Sequence, residues 1–288
     1  MYYYIVNPTS GNGAIRGIQD KLRSRLGELG ISGDWTKTTA PGEAAKIAKA
    51  AVAKGFTTIV AVGGDDTVNE VINGVSKDKV ALGIIPIGSD NRIASSLGVH
   101  SWQQACEVLA ARRLTSYNLI AAGQKFFLSK LTLGFETDVD KHLDVPIKGI
   151  RGKLSTMKQS WGHARKYEPL AVKIEADNNL SLSGTTFSLS VTNQKFDNPM
   201  AENRLVVSLS DIPKGHHLGA YLWNRTNNHS AIVEYPTTRF LAKRVIIETT
   251  PVTGIMVDGK VTGRTPIAIR LTDRKVNFIT EKASVFES

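Results

Sequence analysis

Two adjacent carboxylates, Asp65 and Asp66, sit in the stretch VAVGGDDTVNEV, Val60 to Val71, directly behind Gly63 and Gly64. The order is a β-branched run, a glycine turn and a helix-forming segment. Glycines at such a turn let backbone N–H groups close around a phosphate at a helix N-terminus. A carboxylate in the same place does different chemistry: it repels bare phosphate or holds a divalent cation. Two further turns share the design, NPTSGNG (Asn7–Gly13) and PIGSDN (Pro86–Asn91). Each follows an apolar run and carries Asn, Ser or Thr donors. On a parallel sheet such turns gather at one rim, where helix dipoles point their positive ends. A strand-to-helix turn needs glycine in any case, so each alone says little; three together favour a phosphate site. None fits G-x-x-x-x-G-K-[ST] or G-x-G-x-x-G, which excludes a P-loop and a dinucleotide fingerprint.

The elements that must position these turns are legible over the first 120 residues. YYYIV reads as a strand ending at Asn7-Pro8, and GAIRGIQDKLRSRLGELG has helical spacing at Ile15, Ile18, Leu22, Leu26 and Leu29, stopping at Gly30. GDWTKT is a short strand followed by the helix GEAAKIAKAAVAKG. TTIVAV is a continuous β-branched run, the pattern of a strand buried on both faces. The helix TVNEVINGV, the strand ALGIIP, the segment IASSLGV and the helix SWQQACEVLAARR complete the series. Repeated β-α units with short loops predict a parallel, doubly wound α/β domain over residues 1–120. From about Asn118 the rhythm changes to short alternating runs: FFLSKLTLGF, LAVKIEA, TTFSLSVTN, LVVSLS, RVIIET, GIMVDG, PIAIRL and KVNFIT. These predict an antiparallel β-sandwich or barrel over 121–288, with the extreme C-terminus packing back on the first domain.

Composition bounds the rest. The 288 residues are 41% hydrophobic and 22% charged, ordinary for a folded protein with a real core. The single cysteine, Cys106, excludes an intramolecular disulfide and a cysteine-rich zinc site, and its setting reads as a buried helix position. The start MYYYIVNP lacks the features of a signal peptide and no apolar run is long enough to span a bilayer, so a cytoplasmic setting is expected. A net charge of +10 implies an anionic partner. Residues 141–170 concentrate Lys141, Lys148, Arg151, Lys153, Lys158, Arg165 and Lys166 against Asp144 and Glu168, beside Trp161 and Tyr167. That segment is either a solvated basic helix or a surface for an anionic membrane. No nucleic-acid motif appears, so no nucleic-acid partner is expected. His216, His217 and His229 read as a surface loop rather than a metal site.

VNPTSGNG, the set Thr38, Gly42, Glu43 and Ala44, GGDDTVNEVINGV and LGIIPIGSDN, in this order and spacing over about 100 residues, resemble the diacylglycerol kinase catalytic-domain family of lipid kinases. The likeness continues more faintly in LGFETDV, VTN and VDG. The resemblance implies an α/β nucleotide domain followed by a β-sandwich, with ATP in the cleft between them, Mg²⁺ as cofactor and a membrane lipid such as diacylglycerol as substrate. It also implies peripheral membrane association; a homodimer is left open. Carried over by motif position, Asn7, Ser10, Gly11, Thr38, Gly63, Gly64, Asp65, Asp66, Thr67, Asn69, Gly88, Ser89 and Asn91 would bind the nucleotide. Asp65 and Asp66 would order Mg²⁺, Asp258 would act as general base for the lipid hydroxyl, and Lys260 beside it is a further catalytic candidate.

The chain also departs from that family's pattern. Asp66 replaces the last glycine of G-G-D-G-T, where an aspartate at positive φ would cost about 1 kcal/mol. Arg92, Asn118, Asn203 and Lys260 stand where carboxylates are usual. All four changes remove negative charge, and two introduce cations. Two alternatives to a lipid kinase therefore stand: a diverged homologue that binds nucleotide or lipid with little turnover, and an enzyme like the NAD kinases, which share the G-G-D-G-T turn.

Overall fold

The structure is a computed structural model that describes residues 1–75, 80–88, 91–135, 137, 167–198, 201–211, 237–257 and 260–281. Ser89, Asp258, the histidines at 216, 217 and 229, and residues 141–166 of the basic stretch lie outside the described residues, as does the side chain of Lys260. The chain divides into two compact units: one of residues 1–129, 194–203 and 271–288, the other of 130–193 and 204–270.

The first unit opens with strand β1 (Tyr2–Val6), a left-handed turn and helix α1 (Ile15–Glu28), then β2 (Gly33–Lys37), α2 (Glu43–Ala53), β3 (Thr58–Gly63) and α3 (Asp65–Gly74). β4 (Ala81–Pro86), α4 (Arg92–Ser96), α5 (Trp102–Ala111), β5 (Leu114–Ala122) and β6 (Lys125–Phe127) follow. β1 to β4 pair in parallel in the order β2-β1-β3-β4. Every residue of β3 and β4 is buried, so their apolar runs face helices on both sides of the sheet. α1 turns Ile15, Leu22 and Leu26 inward and ends where Gly30 takes φ +70° and the Ile31 N–H bonds back to the Leu26 carbonyl. Over β1 and β2, Tyr4 stacks on Trp35 at 4.7 Å and the guanidinium of Arg23 covers Trp35 at 4.8 Å. Cys106 is buried in α5, where burial pushes its thiol up to about 11.

The second unit holds β7 (Lys130–Gly134), β8 (Leu170–Ala176), β9 (Leu180–Thr186) and β10 (Ser188–Asn193). After helix α6 (Gln194–Asp197) of the first unit come β11 (Leu205–Ser210), β12 (Thr237–Ala242), β13 (Arg244–Thr250), β14 (Gly254–Val257), β15 (Lys260–Arg264) and β16 (Ile267–Ile279). One antiparallel sheet has the order β12-β11-β10-β7-β14-β15; in the other, β13 lies between β8 and β16, and β9 pairs with β8. β8 alternates buried and exposed positions along its whole length, with Leu170, Val172, Ile174 and Ala176 inside. That period of two belongs to a sheet with one face on a core. The fold class is therefore the expected one, a parallel α/β part followed by an antiparallel β part.

β16 contributes to both units: Ile267–Arg270 pair with β13 in the second, while Asn277 and Phe278 pair with β4 in the first. Within the first unit, Asn118 of β5 donates from Nδ2 to the Thr272 carbonyl at 2.7 Å, and the Thr272 hydroxyl donates to the Leu119 carbonyl at 2.7 Å. Both side chains are buried. An amide can donate at this position and a carboxylate cannot, which gives Asn118 a structural reason to replace an acid. Asn118→Asp is expected to cost about 2–4 kcal/mol, because it buries a charge against a carbonyl and removes the donor. A melting temperature within about 1 °C of wild type would contradict this role.

Candidate functional site

The three glycine turns leave the sheet along one line because the strand ends are zipped beyond the strands themselves. The Thr38 N–H donates to the Val6 carbonyl at 2.9 Å, Asn7 N–H to Val62 at 3.0 Å and Ile87 N–H to Gly63 at 3.1 Å. Parallel pairing therefore places the turns after β1, β2, β3 and β4 side by side at the carboxyl rim. This is where ligands meet open α/β sheets.

The first turn is left-handed at Gly11 (φ +56°) and Asn12 (φ +56°). A Cβ on Gly11 would lie 2.1 Å from the Ile87 carbonyl oxygen, so this turn rests directly on the third. Asn7 clasps the first two turns. Its Oδ1 accepts from the Thr9 N–H and hydroxyl, and its Nδ2 donates to the Thr67 hydroxyl at 3.1 Å. A Cβ on Gly63 would meet the Thr67 hydroxyl at 2.4 Å and the Ser10 hydroxyl at 3.1 Å. One on Gly88 would meet the Gly64 Cα at 2.4 Å. Asn91 closes the third turn on itself, accepting from the Gly88 N–H at 3.0 Å and donating to its carbonyl at 2.8 Å. Asn7, Ser10, Gly11, Gly63, Gly64, Thr67, Gly88 and Asn91 thus form one contiguous patch. Thr38 is buried beside it, held to Val6. Asn69 lies one turn further along α3.

The carboxylates divide the work. Asp66 is exposed in the first turn of α3, where helix geometry holds, and it is absent from the residues at positive φ. The expected cost of positive φ at Asp66 therefore does not arise; a carboxylate in a first helical turn is favoured by the dipole. Asp65 is buried, and its two oxygens accept from the main-chain N–H groups of Arg92 and Ile93, each at 3.0 Å. The Arg92 Nε stands 3.8 Å from Oδ2. A donor set of two amides and a guanidinium supplies positive charge to Asp65 already. It does not fit a protein-held Mg²⁺, the role expected for Asp65 and Asp66, and no group of three or more metal-ligating side chains occurs among the described residues.

Two further carboxylates complete the rim. Glu70, one turn along α3, accepts from the Gly42 N–H at 2.7 Å and the Ala44 N–H at 3.2 Å, capping α2. Glu43 accepts from the Thr39 N–H, from its hydroxyl at 2.9 Å and from the Ala40 N–H at 3.3 Å, and the Thr39 backbone bond leads in holding its carboxyl below the usual range. The signal for Glu43 was its place at the start of a helix; Glu70 carried none, since its partners are 28 and 26 residues away. Lys260 is in β15 of the second unit, its backbone opposite Val257.

The turns after β1, β3 and β4 of the parallel sheet thus interlock through glycine and Asn/Thr contacts, and the turn after β2 joins them through Glu70. Residues 1–122 match the family model of the diacylglycerol kinase catalytic domain. The chain is 27% identical over 180 residues to the diacylglycerol kinase of Bacillus subtilis, covering 61% of this chain and 59% of that enzyme. With the diacylglycerol kinase of Staphylococcus epidermidis it shares 23% identity, covering 96% and 91% of the two chains. Among solved structures, a diacylglycerol kinase from Bacillus anthracis matches with a TM-score of 0.71 at 20% identity, over 99% of this chain and 98% of that one. An NAD kinase from Archaeoglobus fulgidus in complex with ATP matches with a TM-score of 0.54 at 11% identity, over 98% and 94%. At these identities the structural likenesses establish the fold. Among the described residues no helix is long and apolar enough to cross a membrane.

Proposed function

We propose that the protein is an ATP-dependent lipid kinase that phosphorylates a hydroxyl of a membrane lipid such as diacylglycerol. The interlocking of three phosphate-type turns on one rim carries this reading, and the match of residues 1–122 to the diacylglycerol kinase catalytic domain supports it. The polyphosphate of ATP lies along the turns at 10–13, 63–67 and 88–91, where main-chain N–H groups and the Ser10 hydroxyl donate to phosphate oxygens. Asp258, assigned by its place in MVDGK, takes the proton of the lipid hydroxyl. The lipid oxygen then bonds to the terminal phosphorus as the bond from that phosphorus to the ADP oxygen breaks. Lys260, two residues on in the sequence, is the further catalytic candidate of the same motif.

Incubation with γ-labelled ATP and vesicles of diacylglycerol, phosphatidylglycerol or sphingoid lipid tests the reading. Labelled lipid is expected, falling by about 10²-fold or more in Asp258→Ala. Absence of labelled lipid with every vesicle would overturn it, and labelled NAD phosphate would assign the chain to NAD phosphorylation instead. A second reading, a homologue that binds nucleotide without turnover, is favoured by the engagement of Asp65 with Arg92; nucleotide binding without labelled lipid is its signature.

The basic segment 141–170 docks on anionic bilayer in this proposal, each nearby cation adding about 1 kcal/mol. Sedimentation with liposomes is expected to rise with anionic lipid and to fall as salt is raised. Binding indifferent to both would remove the docking role.

A further inference from the structure

We infer that Arg92 is the phosphate-contacting cation of this rim and that Asp65 is the positioning residue that aims it. The inference rests on the nucleotide reading above and says which side chain of this chain meets the ligand's charge.

Asp65 is 5% exposed, and its carboxylate is fixed from two directions. Oδ2 receives the Arg92 N–H and Oδ1 the Ile93 N–H, so the first residues of α4 are pinned to the second glycine turn. The same Oδ2 lies 3.8 Å from the Arg92 Nε. Backbone and side chain of Arg92 are thus both referred to one buried carboxylate, while the side chain remains 37% exposed. Nε is the inner nitrogen of the guanidinium; the terminal nitrogens extend beyond it and form the planar fork suited to phosphate oxygens. Arg92 directly follows Asn91, which closes the third turn on Gly88, the residue packed against Gly64. A charge placed there is at the meeting point of the second and third turns.

The consequence concerns metal dependence. A carboxylate at position 92 would repel polyphosphate and call for a divalent cation between them. A guanidinium attracts the phosphates directly, and more strongly when no metal has reduced their charge. Metal-free ATP should therefore bind to this protein nearly as well as ATP with Mg²⁺.

Calorimetric titration of the full chain with ATP and with adenosine, in Mg²⁺ and in chelator, tests this. The wild type is expected to lose no more than about threefold in ATP affinity on chelation. Arg92→Ala is expected to weaken metal-free ATP by about tenfold or more, leave adenosine unchanged, and recover in part as Arg92→Lys. Arg92→Asp should bind ATP only with Mg²⁺. Asp65→Asn should lower the ratio of ATP to adenosine affinity in the wild type but not in Arg92→Ala. Wild-type ATP affinity in Arg92→Ala, or equal losses of ATP and adenosine, would overturn the inference while leaving the nucleotide reading intact. A wild type that binds neither ligand under either condition would overturn both. If Arg92→Ala does not fold, the comparison of Arg92→Lys with Arg92→Gln gives the same contrast.

Discussion

Asp65→Ala is expected to lower the melting temperature by roughly 6–12 °C, corresponding to a loss of about 3 kcal/mol. The carboxylate is buried and accepts two main-chain N–H groups that have no carboxylate to meet once it is truncated. The Ile93 N–H is buried, so water replaces the lost acceptor poorly. The Arg92 guanidinium at the same time loses the charge 3.8 Å away. Since α4 is pinned to the second turn through these contacts, the loss should reach the third turn and weaken nucleotide binding as well. A carboxylate that served only as a metal ligand or catalyst would behave differently: its alanine variant would melt with the wild type and lose turnover alone. Thermal melts of the two proteins, free of nucleotide, separate these outcomes.

Gly11→Ala should be as damaging for a different reason. At φ +56° an alanine pays about 1–2 kcal/mol for the left-handed backbone. Its methyl would also lie 2.1 Å from the Ile87 carbonyl oxygen, a rigid main-chain atom of the third turn. The first turn must then lift off the third, and the phosphate surface shared by the two opens. A total cost of about 3–4 kcal/mol and a loss of ATP affinity of at least about tenfold are expected. Gly30→Ala is the internal control. It has φ +70° but nothing within 4 Å of the added carbon, so it should show the backbone cost alone and bind ATP as the wild type does. Equal effects of the two substitutions on ATP affinity would mean that contact between the turns is irrelevant to the site.

The first unit was legible because its physics is local. β3 and β4 are buried on both faces, so they appear as unbroken apolar runs, and the helices between them carry their own spacing and stop signals. The second unit was less so. β9, LSLSGTT, alternates only over its first four residues and is exposed along most of its length, so it gives a weak strand signal. β16 appeared as two runs, PIAIRL and KVNFIT, because Thr272, Asp273 and Arg274 interrupt the apolar pattern, yet it is one strand of 13 residues. At the site, the glycine turns were visible as composition, and parallel pairing brings them together. What each carboxylate does was not visible. Asp65 caps a helix 27 residues downstream and Glu70 caps one 28 residues upstream, contacts that exist only after the sheet has formed. Asp66 departs from the G-G-D-G-T pattern by its charge and by the lost glycine; the glycine is not needed there, because Asp66 lies in the first turn of a helix and not at positive φ.

The shared use of the three turns by one polyphosphate is tested most directly by hydrogen exchange of main-chain N–H groups with and without ATP. Protection of residues 10–13, 63–67 and 88–93 at the same nucleotide concentration is the predicted result. Protection confined to one turn, or arising elsewhere in the chain while these three exchange unchanged, would contradict it.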